Sequence, residues 1–345
     1  MKKVIHKIVK WIAITLLLFL VIGLVRPTWT PAIKGDRSIS ELRSVDINGT
    51  ELELLIRGKD RNNPVLLFVH GGPCCSEIPY VCKYQEDWEN SFTIVHYDQR
   101  GSGKSFSFGA DDGEITVATH VNDLISLTEY IKEYLAKEQV ILAGHSFGTY
   151  IATVAVSQRP ELYQAYIGIG QMSDPIQGEL DNLEKCLEAA GQSGAEKDVA
   201  YLKGLEQAII SGEIITPRNY VRKYDFAARK IEDNFDYFLG FLFGTEYNLA
   251  DMIRFYCGSI KYQDRLITES VDNPLPQVVT RIDVPTYFVM GKYDGMTSPK
   301  AAEAYLHSLS GEGEKNFVLF EESAHYPQFE EMQKFYQWLK ETLGD

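Results

Sequence analysis

Gly144-His145-Ser146-Phe147-Gly148 lies between an apolar run, Val140–Ala143, and a helix-like stretch from Thr149 to Gln158. A strand–turn–helix of this kind holds its serine in a strained conformation, with the hydroxyl presented at a helix N-terminus. The flanking glycines allow the backbone to pack closely. A serine hydroxyl is a weak nucleophile by itself, so it needs a base, and the base needs an acid to orient it. Two later loops offer both. The apolar run Thr286–Met290 leads into Gly291-Lys292-Tyr293-Asp294-Gly295, and Phe317–Phe320 leads into Glu321-Glu322-Ser323-Ala324-His325. Asp294 and His325 therefore fall just past strand ends, on the sheet edge where Ser146 stands. Competing histidines fit less well: His307 lies inside the helical run Ala301–Leu309, His145 is inside the turn, and His96 and His120 precede the serine. The expected catalytic set is Ser146 as nucleophile, His325 as general base and Asp294 as orienting acid.

Acyl transfer through a serine also needs N–H donors aimed at the oxyanion of the tetrahedral intermediate. The N–H of Phe147, next after the serine, is one. The loop after Val65–Val69 reads His70-Gly71-Gly72-Pro73, and Gly71 or Gly72 supplies the second, with His70 structural. This chemistry requires neither metal nor cofactor. The five cysteines (Cys74, Cys75, Cys82, Cys186, Cys257) are an odd number with no zinc spacing and are read mostly as free thiols. A bridge from Cys74 or Cys75 to Cys82 stays open for an exported domain. Gly101-Ser102-Gly103-Lys104-Ser105 resembles the end of a phosphate-binding loop, but Asp98 stands where its first glycine belongs, which argues against nucleotide binding.

The elements that must position these residues are legible as short patterns. Residues 39–57 alternate apolar and polar about Asn48-Gly49, a hairpin signal. Continuous apolar runs follow at Val65–Val69, Phe92–His96, Val140–Ala143, Ala165–Ile169, Pro285–Met290 and Phe317–Phe320, separated by helical stretches. Such runs predict a mostly parallel sheet covered by helices on both faces. A hairpin leading into that sheet is the order of the α/β-hydrolase fold. The interval 172–274 breaks the rhythm with helical patterning and many aromatics, too long for a structureless loop. It is expected to form an inserted helical cap over the carboxyl ends of the strands, where ligands bind in such sheets. The expected division is a basic head and membrane segment at 1–30, hydrolase core at 31–171 and 275–345, and the cap between.

The first thirty residues carry Lys2, Lys3, Lys7, Lys10 and Arg26 and no acid. Trp11 to Val25 is uncharged and as a helix spans roughly 22 Å, short of the ~30 Å hydrocarbon core. Ile8, Val9 and a snorkelling Lys10 extend it to about 27 Å. Leu24, Val25, Arg26 and Pro27 offer no small residues for signal cleavage, and Thr30 and Ala32 make only a weak site. An uncleaved anchor is therefore expected, with the lysines cytoplasmic and the catalytic domain outside; secretion after cleavage is the alternative. Net charge is −14 overall, so the rest of the chain is near −19, which opposes nucleic-acid binding. No oligomeric state follows from these patterns.

The set His70-Gly71-Gly72-Pro73, Asp98-Gln99-Arg100-Gly101-Ser102-Gly103, Gly144 to Gly148, and the Asp294 and His325 loops resembles the prolyl iminopeptidase branch of the α/β-hydrolases. The resemblance covers about residues 40–171 and 280–345. It implies a serine peptidase that releases an N-terminal residue from short peptides, with Ser146, Asp294 and His325 as triad and the Gly71–Gly72 turn as oxyanion loop. Two departures stand out. Cys74 replaces the family's usual glycine after the proline, and its acidic cap motif does not align. A carboxylic ester or other small-acyl substrate is the alternative, and a non-enzymatic binding protein the remote one. If the substrate carries a free amine, a cap carboxylate must meet it, and Glu179 and Glu246 are the preferred candidates among Glu179, Asp181, Glu184, Glu246 and Asp251.

Overall fold

Asn48 and Gly49 both take positive φ angles, 51° and 74°. The two-residue turn they form joins β1 (Ile39–Ile47) to β2 (Thr50–Gly58) in an antiparallel hairpin paired along its full length. In the computed structural model, which describes residues 2–109 and 115–344, this hairpin opens an eight-stranded sheet. The remaining strands are β3 (Val65–Val69), β4 (Thr93–Tyr97), β5 (Val140–His145), β6 (Tyr163–Ile169), β7 (Thr286–Gly291) and β8 (Lys315–Phe320). Their order is β1-β2-β4-β3-β5-β6-β7-β8, parallel from β4 onward. This is the mostly parallel α/β-hydrolase sheet expected from the apolar runs.

Alternation along the buried strands feeds two cores. Val65, Leu67 and Val69 face one cluster, while Leu66 and Phe68 face the other. The helices before the insertion are α1 (Lys2–Val25), α2 (Ile78–Gln85), α3 (Val117–Tyr134) and α4 (Phe147–Gln158). Six more follow β6 up to residue 272: α5 (Pro175–Gln192), α6 (Glu196–Lys203), α7 (Glu206–Ile210), α8 (Arg218–Lys223), α9 (Asp233–Phe243) and α10 (Leu249–Asp272). After them come α11 (Leu275–Val278), α12 (Pro299–Ser308), α13 (Pro327–Glu330) and α14 (Met332–Leu343). The insertion is not uniform. Leu183, Cys186, Leu202, Ile209 and Val221 form a separate small core under α5–α8. Phe241, Tyr247 and Phe255, around α9 and α10, instead join the core shared with α2 and α14.

Helix α1 starts earlier than the apolar run implies, taking in the lysines, and at 24 residues it is about 36 Å long. None of its residues is buried, and it is long and apolar enough to cross a membrane. Only its last turn meets the body. A methyl on Gly23 would lie 2.5 Å from Leu249 Cδ1, at the start of α10. The Arg26 guanidinium donates to the carbonyls of Tyr247 (2.6 Å) and Phe241 (3.3 Å), Asn248 Nδ2 donates to the Arg26 carbonyl (2.9 Å), and Trp29 N–H donates to the Thr245 carbonyl (3.0 Å).

Candidate active site

Ser146 forms the joint between β5 and α4, with φ 53° and ψ −125°. Positive φ strains a residue with a side chain by about 1–3 kcal/mol, so the surroundings must impose it. They do so from both sides: the Ser146 N–H donates to the Ile169 carbonyl and its own carbonyl accepts from the Thr149 N–H, each at 2.9 Å. Gly71 faces the serine so closely that a methyl there would lie 2.7 Å from Ser146 Cβ. The Gly71–Gly72 turn therefore touches the candidate nucleophile.

Asp294 is fully buried in the loop after β7. Its Oδ1 accepts the N–H groups of Met296 (2.8 Å) and Thr297 (2.9 Å). Its Oδ2 accepts the Thr297 hydroxyl and faces His325 Nδ1, both at 2.8 Å. Burial opposes the charge, yet the positive form of His325, the hydrogen bond to it and the Thr297 N–H hold the carboxyl below the usual range. An ionised carboxylate only accepts, so Nδ1 carries a proton and Nε2 is the nitrogen left to take one. Gly170, at the end of β6, backs the ring, since a methyl there would lie 2.8 Å from His325 Cε1. From α5, Lys185 Nζ donates to the Asp294 carbonyl and Asp181 accepts the Ser298 hydroxyl (2.5 Å), tying the insertion to this loop.

A second carboxylate–imidazole pair lies beside the first. His145, the residue before the serine, has Nδ1 2.6 Å from Glu77 Oε1 and Nε2 3.0 Å from the His325 carbonyl oxygen. The two rings are 4.9 Å apart between centroids. Burial disfavours the imidazolium, but the Glu77 charge and the hydrogen bonds to Glu77 and His325 outweigh it and raise the His145 pKa. Glu77 is held low by the same pairing against its own burial. The segment before α2 that carries Glu77, the turn at Ser146 and the His325 loop are thus joined through one buried side chain.

His70 has the structural place expected of it. Its Nδ1 donates to the Gly71 carbonyl (2.9 Å), while Nε2 accepts the Gln99 N–H (3.2 Å) and contacts the Ser102 hydroxyl (3.1 Å). Burial pushes its pKa down to about 4, so the neutral ring fits both contacts. Carbonyl and N–H of one peptide point oppositely, so pinning the Gly71 carbonyl inward turns the Gly72 N–H away from His70. Gln263 Nε2 on α10 donates to the Gly72 carbonyl at 3.2 Å.

Two cavities meet at Ser146. One, of about 340 Å³, is mostly apolar and lined by Phe147, Met172, Ile215, Ile267, Val271 and the Glu179–Arg218 pair. The other, of about 310 Å³, holds Gly71, Glu77, His145, His325, Arg222, Asp233 and Tyr237. Ser146, Gly72, Gln263 and Met296 line both. A substrate carbonyl at Ser146 would have one side in each.

The two preferred cap acids part company. Glu179 lines the apolar cavity, but its carboxylate is already taken by Arg218 (2.6 Å) and the Thr216 N–H (2.9 Å). Glu246 lines neither cavity. It is buried beneath the α9–α10 connection, accepts the Thr245 N–H (3.2 Å) and hydroxyl (3.0 Å), and faces Cys82 Sγ at 3.6 Å. Proximity in sequence to an aromatic cluster does not fix side-chain direction, and here the carboxylate turns inward. Glu77, Lys185 and Gln263 escaped the sequence reading. Glu77 had a weak signal, a carboxylate seven residues after His70 in a loop bound to pass the serine. All five cysteines are free thiols, with Cys75 beside the polar cavity and pushed up to about 11 by burial. Among the described residues no cluster of ligating side chains could hold a metal.

The family described as the alpha/beta hydrolase fold matches residues 64–185. A relative from Bacillus subtilis, probable aminopeptidase YbaC, is 31% identical over 309 residues, spanning 88% of this chain and 96% of its own. The proline iminopeptidase of Saccharolobus solfataricus is 24% identical over 302 residues, 84% of this chain and 86% of its own. Among solved structures, the proline iminopeptidase of Mycobacterium smegmatis superposes with a TM-score of 0.63 at 16% identity, covering 88% of this chain and 97% of that one.

Proposed function

The chain belongs to the α/β-hydrolase family, in its prolyl iminopeptidase-like branch, and we propose that within it the chain is a serine aminopeptidase acting on short peptides. The observation that carries the serine chemistry is the His325 Nδ1–Asp294 Oδ2 contact of 2.8 Å in a ring that shares a cavity with Ser146. In this reading His325 Nε2 takes the Ser146 proton as the hydroxyl attacks the substrate carbonyl. The N–H groups of Phe147 and Gly72 receive the oxyanion, and His325 returns the proton to the leaving amine. An acyl-enzyme on Ser146 results, and water repeats the sequence to release the acid.

Similarity to YbaC favours the aminopeptidase over the esterase. One observation keeps the esterase as a second reading: Glu179, the preferred cap acid and one of those lining the apolar cavity, is already neutralised by Arg218. A buried ammonium needs a paired carboxylate, so the two readings separate on substrate charge. Proline arylamide should be cleaved about a hundredfold faster in kcat/KM than its N-acetylated form. Equal rates on both, with faster turnover of a butyryl ester, would move the assignment to the esterase.

For location, α1 serves in this reading as an uncleaved anchor with Lys2, Lys3, Lys7 and Lys10 on the cytoplasmic side. Protease added to cells stripped of their wall should then digest the catalytic domain. Full protection would reverse the topology.

A further inference from the structure

The outer faces of α9 and α10 carry large apolar side chains that the fold leaves in solvent. Phe235, Phe238 and Phe243 project from α9, and Ile253, Tyr256 and Ile260 from α10. The last three are spaced i, i+3, i+7 and so share one face of the helix. Ile260 is 83% exposed, an extreme for isoleucine on a protein that must remain soluble there.

What covers this face is indicated by its neighbour. The last turn of α1 is seated on Leu249 at the start of α10, and Arg26 bonds to the carbonyls of Phe241 and Tyr247 at the far end of α9 and just before α10. Trp29, half exposed, follows immediately and is bonded to Thr245. A bilayer that holds α1 therefore meets the joint between α9 and α10 first, and the exposed apolar side chains continue outward from that joint. The negative charge of the body gives no attraction to anionic lipid, so apolar contact must carry the association. The polar cavity reaches the same face. Asn234, Tyr237, Phe255 and Tyr256 line it together with Ser146 and His325, and Tyr256 is also one of the exposed residues.

We propose that the outer face of α9 and α10 docks on the lipid surface beside α1, and that substrate reaches Ser146 from there, so the short peptides the enzyme acts on are amphiphilic, with the scissile carbonyl near an apolar tail. The docking rests on α1 as a membrane span, and the substrate route also on Ser146 as nucleophile. The test uses the full chain in zwitterionic phosphatidylcholine nanodiscs containing a lipid with a diazirine in its acyl chain. Photolysis should label peptides 233–243 and 249–260 in addition to 1–30. Label confined to 1–30 would overturn the docking.

The route is tested separately. The Phe235→Ser, Phe238→Ser, Ile260→Ser variant should hydrolyse soluble proline arylamide within about twofold of the native rate. On a proline long-chain alkylamide presented in the same nanodisc it should fall at least tenfold. Equal rates, or equal losses, on both substrates would overturn it. If the native chain labels as expected but Ser146→Ala still turns over both amides, the serine reading fails, and the route through Ser146 with it, while the docking stands.

Discussion

Asp294–His325 and Glu77–His145 are two buried carboxylate–imidazole pairs of nearly equal length, 2.8 and 2.6 Å, whose rings lie 4.9 Å apart. Their chemistry differs because of what faces the second nitrogen. For His145 it is the carbonyl of His325, which can only accept, so Nε2 must stay protonated. Between carbonyl and carboxylate, the ring is biased toward the imidazolium, and both of its nitrogens are already engaged. For His325 the second nitrogen belongs to a ring that lines the cavity with Ser146. In the proposed mechanism the same two residue types thus make a proton carrier in one place and a brace in the other. The brace acts on the carrier directly, through its backbone.

The largest effects should come from breaking the carrier. Ser146→Ala should lower kcat by about 10⁴- to 10⁶-fold with an unchanged circular dichroism spectrum. His325→Ala should cost as much, and the double variant little more than either. A native rate from the Ser146 variant on any good substrate would end the serine reading. Asp294→Asn should lose about 10⁴-fold, because the amide permits the wrong tautomer of His325. A loss below tenfold there would show that Asp294 does not orient the ring.

Breaking the brace should cost less activity and more stability. Glu77→Gln leaves His145 with a neutral partner, so His325 loses part of its positioning and kcat should fall about ten- to a hundredfold. Unfolding should become easier by about 3–5 kcal/mol, the usual effect of removing one partner from a buried ion pair. The sign of its pH dependence follows from the two shifts. The Glu77 carboxyl is depressed on folding, so its contribution is present above about pH 4.3 and lost as pH falls through its folded value. The His145 pKa is raised, so its contribution is full below about pH 6.5 and lost as pH rises through its folded value. The stability gap between native and Glu77→Gln should therefore be widest from about pH 4.3 to 6.5 and narrow on either side. Chemical denaturation across that range would measure it, and a gap independent of pH would mean the pair is not ionised.

The smallest effect concerns a carboxylate outside both pairs. Glu179→Gln should reduce kcat/KM on proline arylamide by about tenfold while leaving the acetylated substrate unchanged, if Glu179 leaves Arg218 to meet an ammonium. Equal losses on both would make the Glu179–Arg218 pair purely structural.

The sequence was most informative where backbone and periodicity dictate the outcome. Val65–Val69 forms a strand with those bounds, and Asn48-Gly49 closes the hairpin, because uninterrupted apolar runs and paired positive φ angles leave few alternatives. The strand-end positions of Asp294 and His325 follow from the same runs. Side-chain direction in the insertion was not legible. Glu246 turns into the core and Glu179 finds Arg218 at a separation of 39 residues, neither of which local pattern encodes. Nor did the aromatics of 220–256 announce their division, with Phe241 and Phe255 buried while Phe238 and Tyr256 stand in solvent. Helix phase sets that difference, and it needed the boundaries of α9 and α10. His145 was passed over as a rival base because it lies inside the turn, and its bond to the His325 carbonyl requires a contact across 180 residues.

The joint at Arg26 fixes more than a distance. A free linker from Val25 to Ile39 would let the body wander by an amount growing as the square root of its length. Here the segment is fastened almost residue by residue: Lys104 Nζ holds the Thr28 hydroxyl (2.7 Å), Arg57 holds the Thr30 hydroxyl (2.5 Å) and Pro31 carbonyl (2.8 Å), and Ser38 holds the Ile33 carbonyl (2.6 Å). Its orientational entropy is surrendered once, during folding, and not again at each encounter with substrate. With α1 as the proposed membrane anchor, that would turn a three-dimensional search with tumbling into lateral diffusion at constant height and attitude.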